Sequence, residues 1–179
     1  HCHTRRQRQM CIRDRIGFTL SPQKPDVLYA SIELEKRNGA VYKSEDRGSS
    51  WKKMSDLSLG YGTGPHYYQE LFASPHKFDR LYLMNVRILT SEDGGKTFVE
   101  LTERSKHSDN HAIAFREDDP NYLLVGTDAG IYESFDLAKT WKYHKNLPIT
   151  QFYKVAVNNA YPFYHIFGGT QDNLSLIHI

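Results

Sequence analysis

The stretch Ser91-Glu92-Asp93-Gly94-Gly95-Lys96-Thr97-Phe98 has the pattern Ser-x-Asp-x-Gly-x-Thr-aromatic, and the chain carries two close variants of this pattern. Related stretches occupy 44–51 and 134–141, and the aspartates of the three copies are 47 and 43 residues apart. We name the copies box 1 (44–51), box 2 (91–98) and box 3 (134–141). A unit that repeats every ~40–50 residues has the size of one four-stranded blade of a β-propeller.

Short runs of β-branched and aromatic residues, bounded by turn residues, surround every box and read as strands. In the second unit these runs are 71–75, 78–83, 86–89 and 98–101. The first and third units repeat the arrangement, and a fourth unit begins with 153–157 and 163–166. The sequence therefore predicts an all-β partial propeller of about three and a half four-stranded blades, with each box at the hairpin between strands three and four.

The residue types of the box stabilise a turn without any ligand. Its carboxylate can accept backbone N–H bonds, its hydroxyls can do the same, and glycine at the fifth position supplies a positive φ. The terminal aromatic is expected to cover the hairpin and to pack against the next unit. A calcium loop needs more oxygen ligands than one box offers. We assign structural roles to Ser44, Asp46, Gly48, Trp51, Ser91, Asp93, Gly95, Phe98, Ser134, Asp136 and Trp141.

Box 3 departs from the pattern, because Ala138 stands where the other two boxes have glycine. This substitution predicts either a strained turn or a turn of another type.

Both termini of the chain resemble translated sequencing-adapter DNA. The codons CTG TCT CTT ATA CAC ATC encode 174–179, and their reverse complement, read from its second base, encodes 10–14 and begins the codon of Arg15. Residues 5–9 fit the adapter bases before it. We therefore expect 1–15 and 174–179 to be non-native tails, and 16–173 to be a fragment of one propeller whose remaining blades are missing. The alternative for the first segment is a basic arm that binds nucleic acid.

The tails account for the positive charge of the chain. The whole chain has a net charge of +2, whereas 16–173 has 18 basic and 20 acidic residues and a net charge of −2. No nucleic-acid partner is therefore expected. Both cysteines, Cys2 and Cys11, lie in the N-terminal tail, so no disulfide framework is expected. No apolar run reaches the ~20 residues of a membrane span.

The boxes resemble Asp-box (bacterial neuraminidase) repeats, which occur in sialidases, in xyloglucan-hydrolysing glycosidases and in the ten-bladed sortilin domain. The stretches 106–114, 125–132 and 161–173 resemble large exported bacterial propellers described as sortilin-like or as glycosyl hydrolases. The resemblance implies a secreted, periplasmic or cell-surface protein. It also implies either a scaffold that binds a protein, peptide or glycan, or a glycosidase. A third possibility is an assembly factor of the kind that photosynthetic organisms build on a similar propeller.

In a propeller, the loops from strand four to the next strand one and from strand two to strand three share one face, and the box turns lie on the other. The loop 56–69 is an insertion whose glycines and tyrosines suit sugar or peptide recognition; the alternative is a solvent loop whose tyrosines cover the adjacent blades. The binding candidates on this face are Tyr61, His66, Tyr67, Tyr68, Asp128 and Gln171.

Catalytic candidates on the same face are Asp109, His111 and Asp172. Two carboxylates at a suitable distance could hydrolyse a glycosidic bond, and an imidazole beside a carboxylate could act as a base. The alternative is that the aspartates, Asp128 included, bond within their turns and that His111 fills the strand edge. The remaining histidines lack metal-ligand spacing, and no phosphate-binding or nucleophile motif is present, so no metal or cofactor is predicted.

Overall fold

A computed structural model describes residues 16–33, 38–58, 70–147, 152–170 and 176–178. Within these ranges the chain forms fifteen strands and no helix. The strands are β1 Ile16–Leu20, β2 Leu28–Glu33, β3 Asn38–Ser44, β4 Lys52–Ser58, β5 Leu71–Ala73, β6 Leu81–Leu83, β7 Leu89–Ser91, β8 Val99–Glu100, β9 Asn110–Arg116, β10 Asp119–Thr127, β11 Gly130–Ser134, β12 Lys142–Tyr143, β13 Phe152–Val157, β14 Ile166–Thr170 and β15 Leu176–His178.

The strands form antiparallel sheets in which neighbours in sequence are neighbours in space. Blade 1 contains β1–β4, blade 2 contains β5–β8 and blade 3 contains β9–β12, and the fourth sheet contains β13–β15. Each box connects the third and fourth strands of its blade. The predicted fold class and the position of the box hairpins are therefore confirmed.

The three boxes make the same hydrogen bonds. In box 2, the Ser91 hydroxyl donates to Asp93 (2.8 Å) and accepts the Gly95 N–H (2.8 Å). The Asp93 carboxylate accepts the Thr97 N–H (2.9 Å) and hydroxyl (2.7 Å). Boxes 1 and 3 repeat these bonds, with Ser50 or Thr140 in the place of Thr97.

The backbone of the box turn also repeats. The fourth and fifth residues of every box have positive φ, with values of 58° and 88° in box 1, 71° and 90° in box 2, and 54° and 68° in box 3. Ala138 thus adopts the conformation that glycine adopts in the other two boxes. Of the two alternatives predicted for box 3, the structure shows the strained turn.

A backbone hydrogen bond ties each box to the hairpin formed by strands one and two of the same blade. The N–H of the fourth box residue donates to the carbonyl of Asp26 (3.0 Å), Asp79 (2.9 Å) or Asn121 (2.9 Å) in blades 1, 2 and 3. The boxes and these turns therefore lie at one end of the strands, which we call the box face.

Two apolar clusters fill the junctions between blades. Cluster 1 joins Val27, Tyr29 and Val41 of blade 1 to Leu71, Leu81 and Leu83 of blade 2. Cluster 2 joins Tyr82, Met84 and Ile88 of blade 2 to Ile113, Leu123, Val125 and Ala138 of blade 3. Among the residues whose side chains the structure describes, neither cluster includes one from the fourth sheet.

The box aromatics do not pack as predicted. Trp141 packs on cluster 2, and its indole N–H donates to the Thr102 carbonyl of blade 2 at 2.7 Å. Phe98 of blade 2 packs on cluster 1, which includes Val27, Tyr29 and Val41 of blade 1. The prediction of packing against the next unit was therefore wrong, because these side chains fill the junction with the preceding blade.

Several predicted strands begin later than expected, among them the one predicted from 78, which begins at Leu81. Residues 86–88 are a loop whose N–H groups bond to side chains: Val86 donates to Asn85 (2.8 Å) and Ile88 to Glu103 (3.1 Å). In the fourth sheet, Asn158 Oδ1 accepts the N–H of His165 (2.8 Å), which holds 158–165 as a turn, so the strand predicted from 163 begins at Ile166. The backbone of 176–178, in the predicted C-terminal tail, pairs with β14.

The box aspartates should make the fold sensitive to acid. Burial opposes ionisation of Asp93, but the bonds from Thr97, Ser91 and Lys96 outweigh it and lower its pKa to about 2. Bonds from Ser50 and from Thr140 likewise lower the pKa of Asp46 and of Asp136. A carboxylate whose pKa falls on folding stabilises the protein above its unfolded pKa of ~4, and this contribution disappears as the pH falls through the folded value.

The urea midpoint of the chain should therefore drop between about pH 4 and pH 2. A variant with Asp46, Asp93 and Asp136 all replaced by Asn should be less stable at pH 7 and should show a shallower drop over the same window. Parallel pH profiles for the two proteins would contradict this assignment.

Candidate functional site

Three loops meet at the end of the strands opposite the box face, and we call this end the loop face. The loop 101–109 leads from blade 2 to blade 3, and the other two connect the second and third strands of those blades. Asn110 N donates to Asn85 O (3.1 Å), Asp109 N to Val86 O (2.9 Å) and Asp128 N to Asp109 O (3.2 Å). These bonds fix the loops relative to one another.

A buried polar network underlies the loop face. The side chains of Lys106 and Glu103 are 0% and 1% exposed, and Lys106 Nζ lies 3.1 Å from Glu103 Oε1. The same ammonium donates to the Asn110 side chain and to the His107 carbonyl (2.7 Å). Asn110 Nδ2 in turn donates to Glu103 Oε1 (2.9 Å) and to the carbonyls of Asn85 (3.1 Å) and Val86 (3.0 Å).

Burial lowers the pKa of Lys106, and the attraction of Glu103 only partly offsets this effect. The second carboxylate oxygen of Glu103 is buried and has no hydrogen-bond partner among the described residues, and the half-exposed Arg87 lies 3.9 Å from it. Burying one partner of such a pair without the other is costly. The network therefore holds the loop 101–109 rigidly against the blade 2 loop.

His111 and Asp128 form a partly exposed pair above this network. His111 Nε2 lies 2.6 Å from Asp128 Oδ1, and the side chains are 40% and 35% exposed. The ladder between β9 and β10 pairs Ala112 with Gly126 and Asn110 with Thr127, so His111 is an extra residue in a β-bulge. Bulges redirect side chains, and this one brings the imidazole to the turn that carries Asp128.

The structure brings together three of the predicted residues, Asp109, His111 and Asp128. Asp109 has a positive φ of 60°, and its carboxylate accepts the Ser108 hydroxyl at 3.0 Å. The other candidates lie outside the described residues: Tyr61, His66, Tyr67, Tyr68, Gln171 and Asp172.

The buried pair Glu103–Lys106 was not predicted as part of the site. Lys106 and Asn110 belong to the stretch 106–114 that carries the family resemblance, but Glu103 lies before it. A lysine and a glutamate three residues apart usually lie at the surface, so their burial has no signal in one sequence.

A second polar cluster, on the box face, joins blades 1 and 2. The Tyr29 hydroxyl donates to Asp79, and Lys43 Nζ lies 2.9 Å from the same carboxylate. Burial and the bond to Asp79 raise the pKa of Tyr29. Burial also opposes the charge of Lys43, but its bonds to Asp79 and Glu45 outweigh that effect and raise its pKa. This cluster borders a groove of ≈ 310 Å³ and stabilises the junction.

The loop face can donate and accept hydrogen bonds through the imidazole–carboxylate pair. The buried polar network holds the backbone beneath this pair in place. Among the described ranges, no three His, Cys, Asp or Glu side chains are grouped as a metal site requires. In the same ranges, no helix has the length and apolar character needed to cross a membrane.

Comparison with known proteins supports the fold. No protein-family model matches the chain. A probable oligoxyloglucan-reducing end-specific xyloglucanase from Neosartorya fischeri is 26% identical over 148 residues, covering 74% of this chain and 18% of the relative. The Niastella koreensis GH74 enzyme matches 89% of this chain and 26% of its own, with 16% identity and a TM-score of 0.59. YCF48 from Cyanidioschyzon merolae matches 91% of this chain and 54% of its own, with 15% identity and a TM-score of 0.50.

The chain thus spans about a fifth of the length of the curated relative, about a quarter of the GH74 enzyme and about half of YCF48. At this level of identity the solved structures show the fold alone, which is a β-propeller built of four-stranded blades.

Proposed function

We propose that the chain is part of an exported β-propeller scaffold that binds a protein, peptide or glycan on its loop face. One observation carries this proposal. The three carboxylates carried by the described loops 101–109 and 127–130 are each held by a neighbour: Asp128 by His111 at 2.6 Å, Asp109 by Ser108 at 3.0 Å, and Glu103 by Lys106 at 3.1 Å. A general acid of a glycosidase, in contrast, must be available to protonate a leaving oxygen.

The buried network beneath the loop face supports the same function. Binding costs less when the contacting groups are already ordered, and the network of Glu103, Lys106 and Asn110 orders the segment that carries Asp109 and His111. The partly exposed pair of His111 and Asp128 would then bond to hydroxyl or amide groups of a ligand. If the loop 56–69 lies on this face, as its place in the repeat predicts, its tyrosines would add aromatic contact area.

The second candidate function is glycoside hydrolysis, and the xyloglucanase relative favours it. In this alternative Asp109 and Asp172 are the two carboxylates. They would have to lie ~5–9.5 Å apart across the bound sugar.

Xyloglucan oligosaccharides and a peptide array provide the test. We expect the 179-residue chain to bind a member of one set without releasing new reducing ends. The variant His111→Ala should weaken that binding by about tenfold, because it removes a hydrogen bond and leaves the Asp128 carboxylate unpaired. Lys96→Ala, on the box face, is the matched control and should bind like the unchanged chain.

Release of reducing ends that Asp109→Asn and Asp172→Asn both abolish would establish the glycosidase instead. Binding that His111→Ala leaves unchanged while Lys96→Ala weakens it would move the ligand site to the box face.

A further inference from the structure

The outer strand of blade 1 is much longer than the outer strands of blades 2 and 3. β4 has seven residues, whereas its counterparts β8 and β12 have two residues each. Within the described ranges β4 pairs with β3 alone, so its second edge presents backbone N–H and C=O groups that no strand binds. A neighbouring blade does not cover this edge, because blades contact one another through their faces, as clusters 1 and 2 show.

Contacts with blade 2 hold this edge in place. The register of β4 against β3 skips Met54, which is therefore an extra residue in a β-bulge. The Ser55 hydroxyl, next to the bulge, donates to the Gly95 carbonyl of box 2 at 2.5 Å. β4 is thus bonded to two blades, and a chain that pairs with it would find the backbone of the edge already ordered, which lowers the cost of binding.

The groove of ≈ 310 Å³ on the box face lies beside this edge. Lys52 and Met54 of β4 line the groove, together with Lys96 of box 2. Both lysines are exposed, and in the part of the chain that the structure describes neither ammonium group has an ion-pair partner. The groove therefore offers two unpaired positive charges next to the open edge.

The carboxylates that line the groove are already engaged within the protein. Glu45 and Asp79 lie 3.0 and 2.9 Å from Lys43 Nζ. Asp93 accepts the N–H and the hydroxyl of Thr97 within the turn of box 2. The charges that remain for a ligand are those of the two lysines, so the groove favours an anionic ligand.

We propose that β4 accepts an extended acidic peptide as a fifth strand of blade 1, with the acidic side chains directed at Lys52 and Lys96. Backbone hydrogen bonds along the edge supply the affinity, and the lysines supply the specificity. The same lysines keep two copies of β4 from pairing with each other, because like charges would meet. This site is separate from the loop face and uses none of its residues.

Fluorescence anisotropy of a labelled peptide tests the proposal. The peptide alternates glutamate with valine and is as long as β4, so in an extended strand its carboxylates share one face. The 179-residue chain should bind it, and Lys96→Glu should weaken the binding by about tenfold, because a like charge replaces an attractive one. Lys139→Glu, at the same position of box 3, is the matched control and should leave the binding unchanged.

Two N-methylated forms of the peptide distinguish strand pairing from charge attraction. One form carries methyl groups on the amides of its odd-numbered residues, and the other carries them on the amides of its even-numbered residues. Alternate N–H groups of a strand point to opposite edges, so only one form loses its bonds to β4. That form should bind at least about tenfold more weakly than the unmodified peptide, and the other form should bind equally well.

The variant His111→Ala separates this site from the loop face, and it should bind the acidic peptide like the unchanged chain. Because Lys96 borders the groove, the loop-face comparison of His111→Ala with Lys96→Ala uses ligands without acidic groups. The failure of either proposal then leaves the other one standing.

Three results would overturn the proposal. The first is no binding of the acidic peptide, which would leave the lysines a protective role at the edge alone. The second is equal binding of the two N-methylated forms, which would indicate charge attraction without strand pairing. The third is an equal loss for Lys96→Glu and Lys139→Glu, which would place the peptide elsewhere.

Discussion

Replacing Gly95 by alanine should lower the free energy of unfolding by about 3 kcal/mol, through backbone strain and a clash across a blade junction. Gly95 has a φ of +90°, and a Cβ placed there would lie 2.6 Å from Cγ1 of Val41 in blade 1. Val41 is fully buried in cluster 1, so its side chain has little room to move away. Urea titration followed by circular dichroism, at low protein concentration, would measure the loss.

Gly48→Ala is the matched control that measures the cost of backbone strain without the clash. Gly48 has nearly the same φ, +88°, but its nearest neighbour would be Leu28 Cδ1 at 3.4 Å, an ordinary contact. We expect a loss of about 1 kcal/mol, which is the cost of the left-handed conformation alone. Equal losses for Gly48→Ala and Gly95→Ala would contradict the claim that the blade junction confines the box 2 turn.

Ala138→Gly completes the comparison, because box 3 already has alanine at this position. The change relieves the strain of a φ of +68° but removes a methyl group that is 1% exposed in cluster 2. The two effects are each about 1 kcal/mol and of opposite sign, so the stability should change little. The alanine is accommodated in box 3 because the blade junction there includes the methyl group in its packing.

The repeat explains why the fold could be predicted and the site only in part. The hydrogen bonds of a box lie within a few residues, so its serine, aspartate and glycine already specify the hairpin, and strand three and strand four follow from it. The direction in which Phe98 and Trp141 pack depends on the stacking of blades, which no single unit encodes. The bulge at His111 likewise appears only in the pairing of β9 with β10.

The buried network is the extreme case, because its members lack any local pattern. Glu103, Lys106 and Asn110 read as loop residues, and their burial results from two loops closing over them. The prediction of a strand at 86–88 failed because of the same network. The side chain of Glu103 accepts the Ile88 N–H that the carbonyl of a neighbouring strand would otherwise accept.

Lys106→Met should lower the free energy of unfolding by about 3 kcal/mol, as much as Gly95→Ala, because it leaves the buried carboxylate of Glu103 without its counter-ion. Glu103 is 1% exposed, and after the change Arg87 remains 3.9 Å from the oxygen that has no hydrogen-bond partner among the described residues. The change also removes the cation above the Trp141 ring, 5.5 Å from its centroid. The loss would appear in urea titration at pH 7.

The double variant Glu103→Gln/Lys106→Met separates the stranded charge from the lost contacts. A neutral amide at 103 can still accept the N–H groups of Ile88 and Asn110, which Glu103 Oε1 accepts at 3.1 and 2.9 Å. The double variant should therefore recover about 2 kcal/mol relative to Lys106→Met, a coupling of the size expected for two residues in one network. If it recovers nothing, Lys106 acts by packing alone. Because the network supports the segment that carries Asp109 and His111, the recovered variant should also regain ligand binding at the loop face, while Lys106→Met should lose it.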